Sequence, residues 1–340
     1  MSGPPAALAR RIIATSLVCA LVAAIVVAVL NRQLIQDEFS AASFQPTESV
    51  TELKNSLQLT DEGRRVFLAS HPTLDGTQYF NTQCSQVQHG ATGHVLGCFV
   101  EDRIHLYYVT DPRVSGIVEV TAAHELLHAT YSRMRPGDRA ALGEKLRKLY
   151  DERSQEDPDL AKRMEMYTGL PRTAFAAELH SVFGSEQEDL PEWLEAHYAQ
   201  WFTNRAGITA TYRGYRGVFQ GLQSEASDLR TRMETLRSDV EERKVTYDDA
   251  VSAYDADATD FNRRVKLREF DTDPTTRDSL DSALKERRAA LKHDLEGLQS
   301  DIKRYNEMRS ELEKLASIST ELEGHLDSAL APVTTRPSQG

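Results

Sequence analysis

A histidine pair at helical spacing is the strongest chemical signal in the sequence. The motif His124-Glu125-Leu126-Leu127-His128 lies in a run whose apolar residues recur at helical intervals. Two histidines four residues apart on a helix place both imidazoles on one face, where they can bind one metal ion. Glu125 is rotated off that line, yet it stays near enough to accept a proton from a metal-bound water. The motif therefore predicts one zinc ion, with His124 and His128 as ligands and Glu125 as the catalytic general base.

The strand-then-motif order resembles the zincin metallopeptidases. The stretch 60–205 resembles membrane-anchored bacterial members of that type. This resemblance implies a catalytic zinc and peptide-bond hydrolysis. It also implies that the strand before the motif helix, 104–109, is a sheet edge that pairs with substrate. Tyr131 and Met134 stand where the longer metzincin signature has a glycine and its third histidine, so the third ligand must come from another element.

A glutamate on a second predicted helix is the best candidate for that third ligand. Gluzincins use such a glutamate, and the helix 173–183 supplies Glu178 at the border of its apolar face. A carboxylate in that position needs a partner, and a metal ion would be one. An ordinary salt bridge of Glu178 remains an alternative. The gap of about 50 residues between motif and glutamate differs from better-known gluzincins.

Four further side chains are candidates for supporting roles at the site. His180 is the alternative third ligand, or a group that orients the ligands from behind. Tyr131, His197 and Tyr198 are candidates for orienting ligands or for stabilising an oxyanion. Aromatic packing explains His197 and Tyr198 equally well.

The elements that position these residues predict an α+β fold that is mostly α. Residues 32–47 suggest a linker, because polar residues and Pro46 interrupt any pattern. Apolar segments at 94–100 and 104–109 flank a charged turn and predict a β-hairpin whose second strand leads into the motif helix. With the helical signals that follow, 48–206 is expected to form a small zincin-like metallopeptidase domain.

An apolar stretch near the N-terminus predicts a membrane anchor. About 19 helical residues at 1.5 Å each nearly match a ~30 Å hydrocarbon core, so we expect 12–31 to span the plasma membrane once. A cleaved signal peptide is the alternative. Arg10 and Arg11 predict a cytoplasmic N-terminus over 1–11, which places the main domains outside the cytoplasm of a bacterial cell.

Two cysteines fit that location. Outside the cytoplasm thiols oxidise, so Cys84 and Cys98 predict a disulfide that closes a short loop. His89 and His94 lie between them, and a structural zinc site made by these four residues is the alternative. Its spacing matches no familiar ligand pattern.

The C-terminal third carries a heptad pattern. Apolar residues step by four and three along a first seam, Leu222, Ala226, Leu229, Met233, Leu236 and Val240. After a break at Pro274 the pattern resumes at Leu284, Leu291, Leu295, Leu298, Ile302 and Tyr305. We expect 207–330 to form a long antiparallel coiled-coil hairpin and 331–340 to be a disordered tail. A spacer, a contact with a coiled-coil partner and a substrate gate all remain open as its role.

Charge and architecture together define the expected function. Acidic residues number 52 against 40 basic ones, a formal net charge of −12, so nucleic acid is not an expected partner. The expected partners are a protein or peptide substrate of the cell envelope and the lipid bilayer around 12–31. The sequence predicts a membrane-anchored, extracytoplasmic zinc metallopeptidase. The alternative is a non-catalytic envelope scaffold or binding protein that acts through its coiled coil.

Overall fold

The structure is a computed structural model that describes residues 6–85 and 95–328. The chain divides into two compact units: the first runs to Val218 and resumes at Leu322, and the second comprises Phe219–Glu321. The described fold is α+β and mostly α, as predicted. The predicted histidines His89 and His94 lie outside the described residues, as do residues 1–5 and the predicted tail 331–340.

Two helices form the N-terminal part of the described chain. Helix α1 (Ala6–Leu30) contains the predicted anchor, and its described side chains, 13–29, are all exposed. Helix α2 (Arg32–Ser43) follows directly. Within the described residues no one helix combines the length and apolarity needed to cross a bilayer. The stretches Ile13–Val29 and Arg32–Ser43 meet that criterion only as a pair, with a bend of 67° between them.

Helix α2 stands where a linker was expected over 32–47. Because α2 ends at Ser43, Pro46 does not interrupt it. The helix packs on α4 (Asp61–Ala69). Its buried side is polar: Asp37 is 5% exposed and accepts a hydrogen bond from Arg133 Nε at 3.0 Å. An ion pair between residues 96 positions apart cannot be predicted from the sequence pattern around either residue.

Three short strands form one sheet in the order β1-β3-β2. Strand β1 (Thr73–Asp75) is parallel to β3 (Arg103–Tyr107), and β2 (Gly97–Val100) is antiparallel to β3. Strands β2 and β3 form the predicted hairpin. Its turn residues Glu101 and Asp102 have φ of 50° and 61°, as a tight two-residue hairpin turn requires. Strand β1 is too short to give a recognisable pattern.

The prediction that the strand at 104–109 is a substrate-pairing edge is wrong. Strand β3 lies in the centre of the sheet, where Leu106 pairs with Leu74 on one side and with Gly97 on the other. Its backbone groups are therefore used within the sheet. Among the described strands the edges are β1 and β2, and β2 is the edge that packs against the motif helix, α6 (Ile117–Arg133).

The predicted disulfide is confirmed. Cys84 at the end of α5 (Thr77–Cys84) is bonded to Cys98 in β2. Both cysteines are buried, and they pack with the fully buried Phe80. The bond therefore attaches the edge strand covalently to α5.

The core of the first unit packs α6 against α9 (Arg172–Glu186). Leu127 and Phe183 are fully buried there. Gly184 permits the close approach, because a Cβ at that position would meet the side chains of Leu127 and Tyr198. The remaining helices of this unit are α3 (Glu48–Ser56), α7 (Pro136–Arg153), α8 (Pro158–Glu165), α10 (Glu192–Tyr198) and the start of α11 (Arg205–Lys266). The first unit includes α11 as far as Val218.

The second unit is an antiparallel helical hairpin. Helix α11 ends at Lys266 and α12 (Pro274–Leu326) returns after a short turn. Asp273 accepts a hydrogen bond from the backbone N–H of Thr276 and so caps α12. Ion pairs cross between the arms at Arg243–Asp301 and Arg287–Asp257. Because one residue number rises as its partner's falls, the arms run in opposite directions.

The seam of this hairpin follows the prediction on the first arm and departs from it at two positions on the second. On the first arm the predicted Leu229, Met233 and Leu236 are buried. On the second arm Leu298 is buried, whereas Ile302 is 50% exposed and Leu295 is 38% exposed. Between Leu298 and the predicted Tyr305, which packs on the seam, the seam passes through Asp301, which pairs with Arg243. Beyond Tyr305 it continues along Met308, Leu312 and Leu315. An ion-paired residue therefore takes the seam position that was expected for Ile302.

Candidate metal centre

Helix α6 presents its two histidines to one point. Four residues are close to one helical turn, so His124 and His128 lie on the same face, and their Nε2 atoms are 3.2 Å apart. The opposite face carries Ala122, Leu126 and Ala129, which are fully buried and anchor the helix in the core. The imidazoles themselves are partly accessible, with 12% and 17% of their side chains exposed. The motif helix is thus fixed while its histidines remain reachable.

Helix α9 brings Glu178 to the same point. Its apolar residues Leu179 and Val182 are fully buried against the core, which turns the neighbouring Glu178 toward α6. The Oε2 atom of Glu178 lies 3.5 Å from the Nε2 of His124 and 3.5 Å from the Nε2 of His128. The structure therefore brings together the three residues that the sequence indicated as ligands.

The three donor atoms form a triangle whose size suits a zinc ion. Its sides are 3.2, 3.5 and 3.5 Å. A point equidistant from the corners of such a triangle lies about 2.0 Å from each, which matches zinc–nitrogen and zinc–oxygen bonds in proteins. Two imidazoles and one carboxylate also leave one tetrahedral position for a water or substrate, as catalytic zinc sites do. The donor set fits the predicted metal.

Charge favours a cation at this point. Burial lowers the pKa of His128, but the carboxylates of Glu178 and Glu125 outweigh burial and raise the pKa to about 9. Burial raises the pKa of Glu178, but His128 and His124 outweigh it and hold this pKa well below its usual range. Glu178 is therefore ionised and faces both imidazoles. A metal cation would satisfy the same carboxylate that protonated imidazole satisfies.

Glu125 lies beside the triangle and is not one of its corners. In the described part of the chain, the donor cluster comprises His124, His128 and Glu178 without Glu125. Glu125 is 6% exposed, and a Cβ built on Gly97 would lie 2.9 Å from its Cγ and Oε1. The carboxylate is therefore held between the ligand helix and the start of β2. Burial raises the pKa of Glu125, and His128 and His124 offset part of the rise.

A second, buried carboxylate lies behind the His124 ring, and the sequence did not reveal it. Glu186 Oε1 lies 3.9 Å from the Nδ1 of His124, on the side of the ring away from the donor triangle. Arg163 holds Glu186 with hydrogen bonds of 2.8 to 3.1 Å. Burial raises the pKa of Glu186, but Arg163 outweighs it, so the pKa is lowered and the group is charged. Its position eight residues after Glu178, about two helical turns on the same face, was the available signal.

His180 is not brought to the triangle. Its Nε2 shares a hydrogen bond of 2.9 Å with the Nε2 of His197, and its ring is fully buried. The Tyr198 hydroxyl donates to the His180 carbonyl at 2.7 Å, and Tyr198 is also fully buried. Burial lowers the pKa of His180, and it lowers that of His197 to about 4. These residues form an aromatic cluster with Trp201, in line with the packing interpretation.

Tyr131 borders a cleft beside the triangle. Its hydroxyl donates to the Arg139 carbonyl at 3.2 Å, and its ring lies 5.1 Å from that of His180. Tyr131 and His128 are both part of the wall of a cavity of about 710 Å³ that extends along α7 and the start of α9. The cleft meets the donor triangle at His128. A substrate bound there would be adjacent to the candidate ligands.

Comparisons with known proteins add no identification. No protein-family model, curated protein or solved structure matches this chain.

Proposed function

We propose that this protein is a zinc-dependent metallopeptidase of the zincin type. The observation that carries the proposal is the donor triangle of His124, His128 and Glu178, whose sides of 3.2 to 3.5 Å suit zinc, with Glu125 beside it. An i, i+4 histidine pair alone is a modest signal. A partly buried carboxylate from a separate helix, at equal distance from both imidazoles, makes the combination specific.

The residues have separate tasks in this proposal. Bound zinc would acidify a coordinated water and polarise the carbonyl of a peptide bond. Glu125 takes the proton of the attacking water as its oxygen bonds to the carbonyl carbon. As the carbon–nitrogen bond breaks, Glu125 passes that proton to the departing amine. Glu186 keeps the His124 ring oriented, since it faces the ring nitrogen that is turned away from the donor triangle.

The edge strand β2 is the element suited to align a substrate. It is antiparallel to its one neighbour in the sheet, it packs on α6, and Gly97 at its start lies against Glu125. A peptide that pairs with this edge by β-addition would pass beside the general base. The disulfide at Cys98 keeps the strand in place.

We also propose that the domain is anchored to the outer face of the membrane. The apolar, exposed α1 supports an anchor, and the disulfide supports an oxidising compartment. The ion pair of Asp37 with Arg133 connects the helix after the anchor to the end of the motif helix. Protease added to intact cells should therefore digest the domains beyond residue 40, and protection of those domains contradicts this orientation.

Hydrolysis by matched variants tests the enzymatic proposal. Full-length protein in detergent is incubated with a peptide mixture, and new termini are identified by mass spectrometry. We expect cleavage by the wild type, loss of cleavage with a chelator, recovery with zinc, and a decrease of several orders of magnitude in Glu125→Gln. Equal product formation by wild type and Glu125→Gln contradicts the proposal. Absence of both turnover and bound zinc favours the scaffold alternative.

A further inference from the structure

The cleft beside His128 is basic, although the chain as a whole is acidic. Its wall includes Arg139, Arg147 and Arg172, and Glu144 is the acidic side chain among its lining residues in the described chain. The protein carries a formal net charge of −12. Three guanidinium groups beside one carboxylate, next to a candidate metal site, therefore concentrate positive charge where a substrate would lie.

The carboxylate partners of the three arginines are few within the described chain. Glu144 pairs with both Arg147 and Arg172, so one carboxylate is divided between two cations. Arg139 donates to the Ser132 carbonyl, and across the described chain it forms no ion pair. A guanidinium with unused donors is suited to bind a carboxylate.

The other lining residues leave room for a peptide. Part of the wall of the cavity of about 710 Å³ is an apolar surface of small side chains, those of Ala140, Ala174, Ala176 and Ala177. An extended segment can lie on such a surface while its charged group reaches the arginines. A cavity of this size, apolar with a few polar groups, is typical of a ligand site.

We propose that this cleft binds a carboxylate group of the peptide substrate. The inference rests on the proposed function, because it treats the cleft as the substrate site of the peptidase. The carboxylate comes from an aspartate or glutamate side chain or from the C-terminus of the peptide. Both sources offer the same planar anion to Arg139, Arg147 and Arg172.

Binding of three matched peptides tests this proposal without requiring turnover. The full-length Glu125→Gln protein is titrated by calorimetry with unlabelled, N-acetylated hexapeptides that differ in one group. One peptide has a central glutamate and an amidated C-terminus, the second replaces glutamate by glutamine, and the third has glutamine and a free C-terminal carboxylate. We expect at least one carboxylate peptide to bind about tenfold more tightly than the neutral peptide, with a preference that weakens as salt increases. Which of the two binds more tightly identifies the source of the anion.

Charge variants made in the Glu125→Gln protein should change the carboxylate preference in opposite directions. Arg139→Gln and Arg172→Gln should each decrease the preference severalfold. Glu144→Gln frees Arg147 and Arg172 from their partner and should increase it. Arg135→Gln is the matched control, because Arg135 is an exposed arginine near the cleft that does not line it. Thermal unfolding of each variant is measured as the control that the fold is kept.

The results separate this proposal from the proposed function. Equal binding of the three peptides, no binding of any of them, or an equal effect of Arg135→Gln and Arg139→Gln overturns the cleft assignment. Zinc-dependent hydrolysis that prefers neither carboxylate peptide over the neutral peptide overturns it as well, and leaves the peptidase intact. A carboxylate preference in a protein without zinc or turnover supports the cleft and contradicts the peptidase.

Discussion

Adding one methyl group at Gly97 should disable the general base while leaving the metal ligands in place. A Cβ at this position would lie 2.6 Å from Thr121 Cγ2 and 2.9 Å from the Cγ and Oε1 of Glu125. Carbon atoms in contact are normally about 3.5 to 4.0 Å apart, so strand or side chains must move by about 0.6 to 1 Å. A displacement of about 1 Å at a catalytic group lowers a rate about 100-fold. We therefore expect Gly97→Ala to lower kcat/KM by about 10- to 100-fold.

The assay combines activity, zinc content and stability. Zinc content should stay at the wild-type level, because none of the atoms that the Cβ meets belongs to His124, His128 or Glu178. The free energy of unfolding should decrease by about 1 to 3 kcal/mol, the usual effect of an overpacked site. Gly137→Ala is the control, since a Cβ there meets nothing within 4 Å. It should leave activity and zinc content unchanged and should not destabilise the protein, because alanine favours the helix α7 in which it lies.

A second substitution separates the two contacts. Thr121→Ser removes the methyl group nearest to the new Cβ and keeps the hydroxyl. If Glu125 is the important contact, Gly97→Ala with Thr121→Ser should regain stability but not activity. Full activity of Gly97→Ala, or loss of zinc together with activity, would contradict the prediction that the new methyl group displaces Glu125 alone.

Three further substitutions test groups around the site. Glu186→Gln removes the charge that faces His124, so zinc should bind about 10- to 100-fold more weakly in competition with a chelator; unchanged affinity contradicts an orienting role. His197 has a pKa of about 4 against an ordinary 6.5, so as pH falls between these values the unfolded chain takes up a proton that the folded chain does not, and stability is lost. Between those pH values the free energy of unfolding should fall by about 1 to 3 kcal/mol less in His197→Gln than in the wild type, as measured by thermal unfolding; parallel pH profiles of the two proteins contradict this. Asp37→Ala leaves the buried Arg133 without its main partner and should lower the free energy of unfolding by about 2 to 3 kcal/mol; a change below about 0.5 kcal/mol in denaturant titrations makes the pair incidental.

Local patterns were sufficient to predict the elements that carry the ligands. A four-residue spacing places His124 and His128 on one face of a helix whatever surrounds it. The apolar side of α9 was equally visible in the sequence, and it oriented Glu178 toward the interior. The hairpin of β2 and β3 and the disulfide followed from composition and spacing in the same way.

Features that depend on contacts between distant segments were not predictable. The central position of β3 depends on β1, a strand of three residues some 30 positions earlier, so the edge was assigned to the wrong strand. Glu186 became informative only when Arg163 and His124 were seen on either side of it. At Ile302 the periodicity was misleading, because the ion pair of Asp301 with Arg243 occupies the seam.

Zinc stoichiometry of matched variants tests the central claim most directly. Full-length protein is purified without added metal, and zinc is measured by mass spectrometry together with protein concentration. We expect one zinc per chain in the wild type and in Glu125→Gln. We expect a large loss of zinc in His128→Ala and Glu178→Ala, because only these two substitutions remove a corner of the donor triangle. Circular dichroism should show that both depleted variants remain folded. A wild type without zinc, or Glu178→Ala with zinc undiminished, would contradict the account.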